Sequence, residues 1–138
     1  MSSIKRIKFN NLKIGQTFSF EHSLSTDNVQ SFVELSGDTS PMHIDKEFGE
    51  KTIFKKNIVH GMLLASFFSK IIGLYFSKNI IYLGQTLEFR KPAFINDVLL
   101  VEAIVKSKSI STKIVTLNTA IKRNDDVLLN GQAKFKYL

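Results

Sequence analysis

The stretch from His60 to Ser77, HGMLLASFFSKIIGLYFS, most limits what this chain can become. Its apolar side chains recur around most of a helical circumference, so as a helix it has to be covered by other parts of the molecule. The run from Met62 to Phe76 is interrupted by Ser66, Ser69, Lys70 and Gly73. It also falls short of the about 18 apolar residues that a membrane span needs. The segment therefore predicts a central buried helix, with Met62, Leu63, Phe67, Phe68, Ile71 and Ile72 in the core and one side free to line a ligand cavity.

The remaining sequence can supply the cover. Ile80 to Arg90, Val98 to Lys108, Lys113 to Lys122 and Val127 to Tyr137 are rich in Ile, Val, Leu, Thr and Phe and alternate in part, as strands do. KRNDDV offers Asn and Asp for a hairpin turn between the last two, and Pro92, Asn96 and Asp97 punctuate the first connection. Upstream, Thr17 to His22 alternates as a short strand with Phe18 and Phe20 on one face. Ser25, Thr26 and Asp27 offer capping oxygens for a helix striped by Val29, Phe32 and Val33, and Gly37 can stop it.

Pro41 lacks a backbone donor and disfavours helix at Ser40, which predicts a bent loop from Asp38 to His43. Asp45 can cap a short turn through Phe48, and GEKTIFKKNI reads as a surface loop. One strand, then helices, then four long antiparallel strands give an α+β fold with a sheet wrapped around the helix. With 138 residues and no visible repeat or linker, a single domain over residues 1–138 is expected.

Composition removes several classes of chemistry. There is no cysteine, hence no disulfide framework, thiol nucleophile, zinc-thiolate site or iron-sulfur cluster. The start, MSSIKRIKFNNLKIGQTF, is basic but lacks the apolar stretch and cleavage site of a secretory signal. A cytoplasmic protein that does not enter a membrane is the expectation. Formal charge is +7, yet 16 of the 19 basic residues are lysine, spread from Lys5 to Lys136. Nucleic-acid readout favours clustered arginine, so a nucleic-acid partner is not expected. The charge suits a solvated surface or attraction to an anionic partner, such as a phosphate-bearing cofactor tail or an acidic carrier protein.

The chemistry concentrates between Asp38 and Leu63. GDTSPMHID places Asp38 five positions from His43 across Pro41, and NIVHGML places His60 and Gly61 at the start of the apolar helix. A carboxylate and an imidazole can activate a water, while a helix amino terminus stabilises charge growing on a carbonyl oxygen. Each residue also has a plainer role available. Asp38 could simply bond the loop after Gly37, and His43 could be a structural histidine. His60 fits a supporting role, and His22 lies in the first strand with no catalytic part. No His-x-His or His-x-x-x-His pair occurs, so a metal is not expected.

The Asp-x-x-P-x-His pattern at Asp38, Pro41 and His43, with VHGMLLAS at Val59 to Ser66, resembles the MaoC-like (R)-specific enoyl-thioester hydratases and dehydratases of the hotdog fold. IYLGQTLEFRKPAF, Ile81 to Phe94, is similar to the family's first strand after the helix, and NDVLLVEAIV to the next. The resemblance runs from about Leu12 to the carboxyl end. It implies a single hotdog, a curved antiparallel sheet around a long central helix, and a homodimer with an acyl-thioester tunnel near the interface.

The resemblance also implies Asp38 and His43 as the catalytic dyad, the Gly61 N–H as oxyanion donor, and Ser69 as a serine neighbouring the dyad. Substrate contacts are then expected at Ser40, Pro41, His60 and Met62. No separate cofactor is implied, since CoA or phosphopantetheine arrives with the acyl-CoA or acyl carrier protein substrate. One departure is Ser40, where the family often has asparagine. Ser69 could equally pack in the helix with its hydroxyl bonded to a preceding carbonyl. Reversible hydration of 2-enoyl thioesters is the leading expectation; a thioesterase on the same fold and a non-catalytic acyl-thioester binder are the alternatives.

Overall fold

The computed structural model describes residues 5–76 and 78–138. A short 3-10 turn at Phe9–Asn11 leads into strand β1, Thr17–Ser23. Helix α1, Thr26–Ser36, begins with a capping box in which the Ser25 hydroxyl accepts from the Asn28 N–H and the Asn28 side chain accepts from the Ser25 N–H. It ends at Gly37, whose φ of 74° is the left-handed turn that glycine adopts without a side-chain clash.

The expected loop from Asp38 to His43 is only half loop. Pro41–Ile44 forms a one-turn helix, α2, with Pro41 in its first turn. A missing N–H costs nothing there, and the fixed φ suits helix entry, so proline starts the turn instead of preventing it. Helix α3, Lys46–Lys51, runs past the expected end at Phe48, and the Asp45 carboxylate accepts from the Phe48 N–H as its cap.

The apolar segment forms helix α4, Gly61–Tyr75. Leu63, Leu64, Phe68, Ile71 and Ile72 are buried, whereas Met62, Ser66, Ser69, Lys70 and Gly73 share an exposed stripe. The helix is thus covered on one side within the chain and not all round as its composition suggests. Near its carboxyl end, Arg6 donates to the Gly73 and Phe76 carbonyls, satisfying acceptors that the helix itself cannot.

After α4 come β2, Ile80–Gln85; β3, Glu88–Phe89; β4, Val98–Lys108; β5, Ile114–Arg123; and β6, Asp126–Tyr137. The sheet order is β1-β4-β5-β6-β2, with β3 also on β6, and every strand pair is antiparallel. The β5–β6 hairpin turns at Asn124, as the polar KRNDDV stretch predicts.

The strand expected from Ile80 to Arg90 is broken in two. Thr86 swings close to β6, where a Cβ on Gly131 would stand 1.8 Å from the Thr86 carbonyl oxygen. Only glycine admits that approach. Leu99, Val101, Ala103 and Val105 of β4, Val115, Leu117 and Ile121 of β5, and Leu129, Ala133 and Phe135 of β6 are fully buried, and most alternate with more exposed neighbours, Thr116 and Leu128 being buried as well. Each large side chain among them contributes roughly 1.5–3 kcal/mol through burial. Helix α4 packs against β1, β4 and β6, so the sheet has to curve around it. This is the single α+β hotdog that the resemblance implies. No helix among the described residues is long and apolar enough to cross a membrane.

Candidate active site

Three short segments meet at the amino end of α4. The first is the Gly37–Ser40 loop. The Asp38 N–H donates to the Ser36 hydroxyl, and the Asp38 carboxylate accepts from the Ser40 N–H. The second is α2, which carries His43; the carbonyls of Met42 and of Asp45, just past its end, accept from the Asn57 side-chain amide at 3.1 and 2.8 Å. The third is the extended run from Asn57 to His60, pinned by Ile58 N–H to Met42 O and by Val59 N–H to Ala93 O.

Those contacts set the imidazole tautomers. His43 Nδ1 lies 2.8 Å from the Ile58 carbonyl oxygen, and His60 Nε2 lies 3.0 Å from that of Asp38. A carbonyl only accepts, so each of these ring nitrogens carries the proton. His43 is left with its lone pair on Nε2. His60 is almost fully buried, and its Nδ1 has no partner among the described residues. The His60 ring is held between Phe32 and His43, with centroids 4.9 and 3.9 Å away.

Asp38, His43 and His60 each present one polar atom within 4.8 Å of the others, a grouping that linear spacing does not reveal. Stacked imidazoles only 30° from parallel do not converge their in-plane lone pairs on one ion at bonding distance, so the cluster suits proton transfer better than metal ligation. A water can bridge a carboxylate and a ring nitrogen at that spacing.

Asp38, His43, His60, Gly61 and Met62 border one cavity of about 440 Å³, which is otherwise walled mainly by apolar side chains. Gly61 opens α4, where the first N–H groups have no partner inside the helix and the dipole favours negative charge. Met62 is exposed and lines this cavity, so it belongs to the wall and not to the core.

Ser40, Pro41 and Ser69 do not border it. Ser40 and Pro41 shape the turn instead: Ser40 O accepts from the His43 N–H, and Pro41 O from the Asp45 N–H. Ser69 is exposed on α4, eight residues past Gly61. That spacing puts it about 12 Å along the axis and about 80° round it. His22 bonds Asn28 at 2.9 Å and packs on Phe67, a structural role.

The rest of the wall escaped sequence reasoning. Phe54, Phe89, Pro92, Ala93 and Leu128 line the cavity from segments far apart in the chain. The loop holding Pro92 and Ala93 is fixed by Arg123, which bonds the Pro92 carbonyl at 3.2 Å and the Asp97 carboxylate at 2.6 Å. The same Asp97 oxygen accepts from the Phe94 N–H.

The family profile of the MaoC like domain matches residues 9–125. The chain is 38% identical over 127 residues to an (R)-specific enoyl-CoA hydratase of Aeromonas caviae, covering 91% of this chain and 95% of the relative. It is 33% identical over 126 residues to a mitochondrial 3-hydroxyacyl-[acyl-carrier-protein] dehydratase of Arabidopsis thaliana, covering 88% of this chain and 75% of that one. Among solved structures, an R-hydratase from Pseudomonas aeruginosa superimposes with a TM-score of 0.91 at 31% identity, over 99% of this chain and 88% of that one.

Proposed function

Since the chain belongs to the MaoC-like domain family, we propose that it is a hydro-lyase that reversibly adds water to trans-2-enoyl thioesters, giving (R)-3-hydroxyacyl thioesters. The observation that carries this reading is the convergence of Asp38, His43 and the amino end of α4 at Gly61 on one apolar-walled cavity.

In the hydration direction, Asp38 and the Nε2 lone pair of His43 hold a water and take its proton as the oxygen bonds to C3. The C2–C3 π electrons move toward the carbonyl, and the negative charge on the thioester oxygen rests on the Gly61 N–H. The enolate then collapses, C2 takes a proton back from the dyad, and the dyad is reset. Dehydration runs the same steps in reverse. General acid-base help is worth about 10²- to 10⁴-fold and one oxyanion donor about 10²- to 10³-fold, so the reaction needs both.

The substrate brings its own CoA or phosphopantetheine arm, and no further cofactor takes part in these steps. The working unit is a homodimer. Strand β2 is an edge strand that leaves Ile81 and Leu83 about half exposed, and a second copy is the natural cover for such an edge. Sedimentation at working concentration returning a monomer would contradict it.

The test of function follows the conjugated enoyl-thioester absorbance during incubation with enoyl-CoA and enoyl-carrier-protein substrates of several lengths. Loss of absorbance without release of thiol is expected. No loss with any substrate sinks the hydratase, and release of free thiol in its place makes the protein a thioesterase.

A further inference from the structure

Phe89 stands over Gly61. An ideal Cβ at Gly61 would lie 2.5 and 2.6 Å from the Phe89 Cε1 and Cδ1 atoms, so the ring rests directly on the Gly61 backbone. A side chain at the start of α4 would therefore force either the Phe89 ring or the helix start to shift. The direction of the ring is set by strand alternation. Glu88 and Phe89 pair with Asn130 and Leu129 of β6, and the Arg90 N–H donates to the Leu128 carbonyl. Arg90 also joins Glu88 and Asn130 through its side chain, tying the residues on either side of Phe89 together. Yet Phe89 is 55% exposed and borders the cavity shared by Asp38, His43 and Gly61. A large aromatic left half bare inside a reactive cavity has an open face for a ligand.

On the hydratase reading, on which this inference rests, the thioester oxygen sits about 3 Å from the Gly61 nitrogen. The carbonyl carbon and its neighbour C2 must then occupy the space beside the ring. We infer that Phe89 is a specificity-determining residue: its ring narrows the space beside Gly61 so that a flat enoyl thioester unbranched at C2 is held with its carbonyl on the Gly61 N–H, and a C2-methyl substrate is turned away. The ring does no proton chemistry. It acts by shape, and a steric wall of this kind discriminates by about 10- to 200-fold.

The experiment compares kcat/KM for crotonyl-CoA and 2-methylcrotonyl-CoA in the unaltered protein, Phe89→Ala and Phe89→Leu. Taking the ratio across variants cancels the intrinsic reactivities of the two substrates. The unaltered protein should favour crotonyl-CoA. Phe89→Ala should narrow the ratio about tenfold or more while lowering kcat on crotonyl-CoA, and Phe89→Leu should fall between.

A ratio unchanged in a folded, active Phe89→Ala protein overturns the inference and leaves the hydratase standing. Absence of turnover of crotonyl and longer enoyl thioesters by the unaltered protein removes the hydratase, and this inference with it. As a second measurement, Gly61→Ala should lower thermal stability, and by less when Phe89 is already alanine. Equal losses in both backgrounds would mean that the ring is not what Gly61 accommodates, and would overturn the inference too.

Discussion

The imidazole of His60 lies face to face with that of His43, centroids 3.9 Å apart, while its Nε2–H holds the backbone carbonyl of Asp38. One buried ring thus sets the position of both members of the proposed dyad, touching one through its face and the other through its edge. Replacement by phenylalanine keeps an aromatic ring in the stack, removes the bond to Asp38 and adds some volume to a filled site. His60→Phe should keep a higher melting temperature than His60→Ala and lose about tenfold in kcat, because the Asp38 loop is no longer tethered. His60→Ala should cost about 2 kcal/mol or more of stability, since it empties a buried site. Full activity in His60→Phe would show that the tether has no part in catalysis.

Asp38→Asn and His43→Ala should each remove about 10²- to 10⁴-fold of hydration rate, with the far-ultraviolet circular dichroism unchanged. Both side chains lie outside the fully buried core, so neither change opens a large cavity. The double variant should be hardly slower than the worse single one, because two groups holding one water act as a unit. Multiplicative losses would argue for two separate waters or sites.

Asp97 and Arg123 form an ion pair 2.6 Å long and largely shielded from water, and it anchors the loop that carries Pro92 and Ala93 into the cavity wall. Asp97→Ala leaves Arg123 without its carboxylate and the Phe94 N–H without an acceptor. A loss of about 2 kcal/mol in urea unfolding is expected. KM should rise more than kcat falls, since the loop shapes the cavity and does not touch the dyad. An unaffected KM would separate this loop from substrate binding.

Burial pushes the Tyr82 phenol from 10.0 up to about 12, and its hydroxyl bonds the Gln85 side chain. The folded state therefore favours the neutral phenol more than the unfolded state does. The stability this contributes is complete below pH 10 and is lost as pH rises toward about 12. Tyr82→Phe should fall less steeply in stability over that window, and the tyrosinate absorbance titration should lose amplitude at its high-pH end. An unchanged titration would place the late ionisation elsewhere.

The alternation of Val98 to Lys108, the capping oxygens at Ser25, Gly37 as a helix stop, and the apolar stretch after His60 were all legible in the chain, because each is a local matter of period, cap chemistry and backbone freedom. Asp38, His43 and Gly61 were legible as candidates through the resemblance carried by Asp-x-x-P-x-His and VHGMLLAS, not through linear spacing alone. Other features were decided only by packing. Pro41 begins a one-turn helix, and that turn is held in place by contacts with the distant Asn57–Ile58 segment, including His43 Nδ1 to the Ile58 carbonyl. The strand after α4 breaks at Thr86 because Gly131, on another strand, lets it approach. Ser69 lies outside the cavity because it stands about 12 Å along α4 from Gly61, although it shares the exposed stripe of Met62. Phe89 meets Gly61, and Arg123 meets Pro92 and Asp97, across separations of 28, 31 and 26 residues, and their contact depends on how the sheet curves around α4. Local pattern determined this protein's elements and marked the proposed dyad; the closing of distant segments on one another built the cavity wall, because contacts between remote residues form only when the sheet packs on α4.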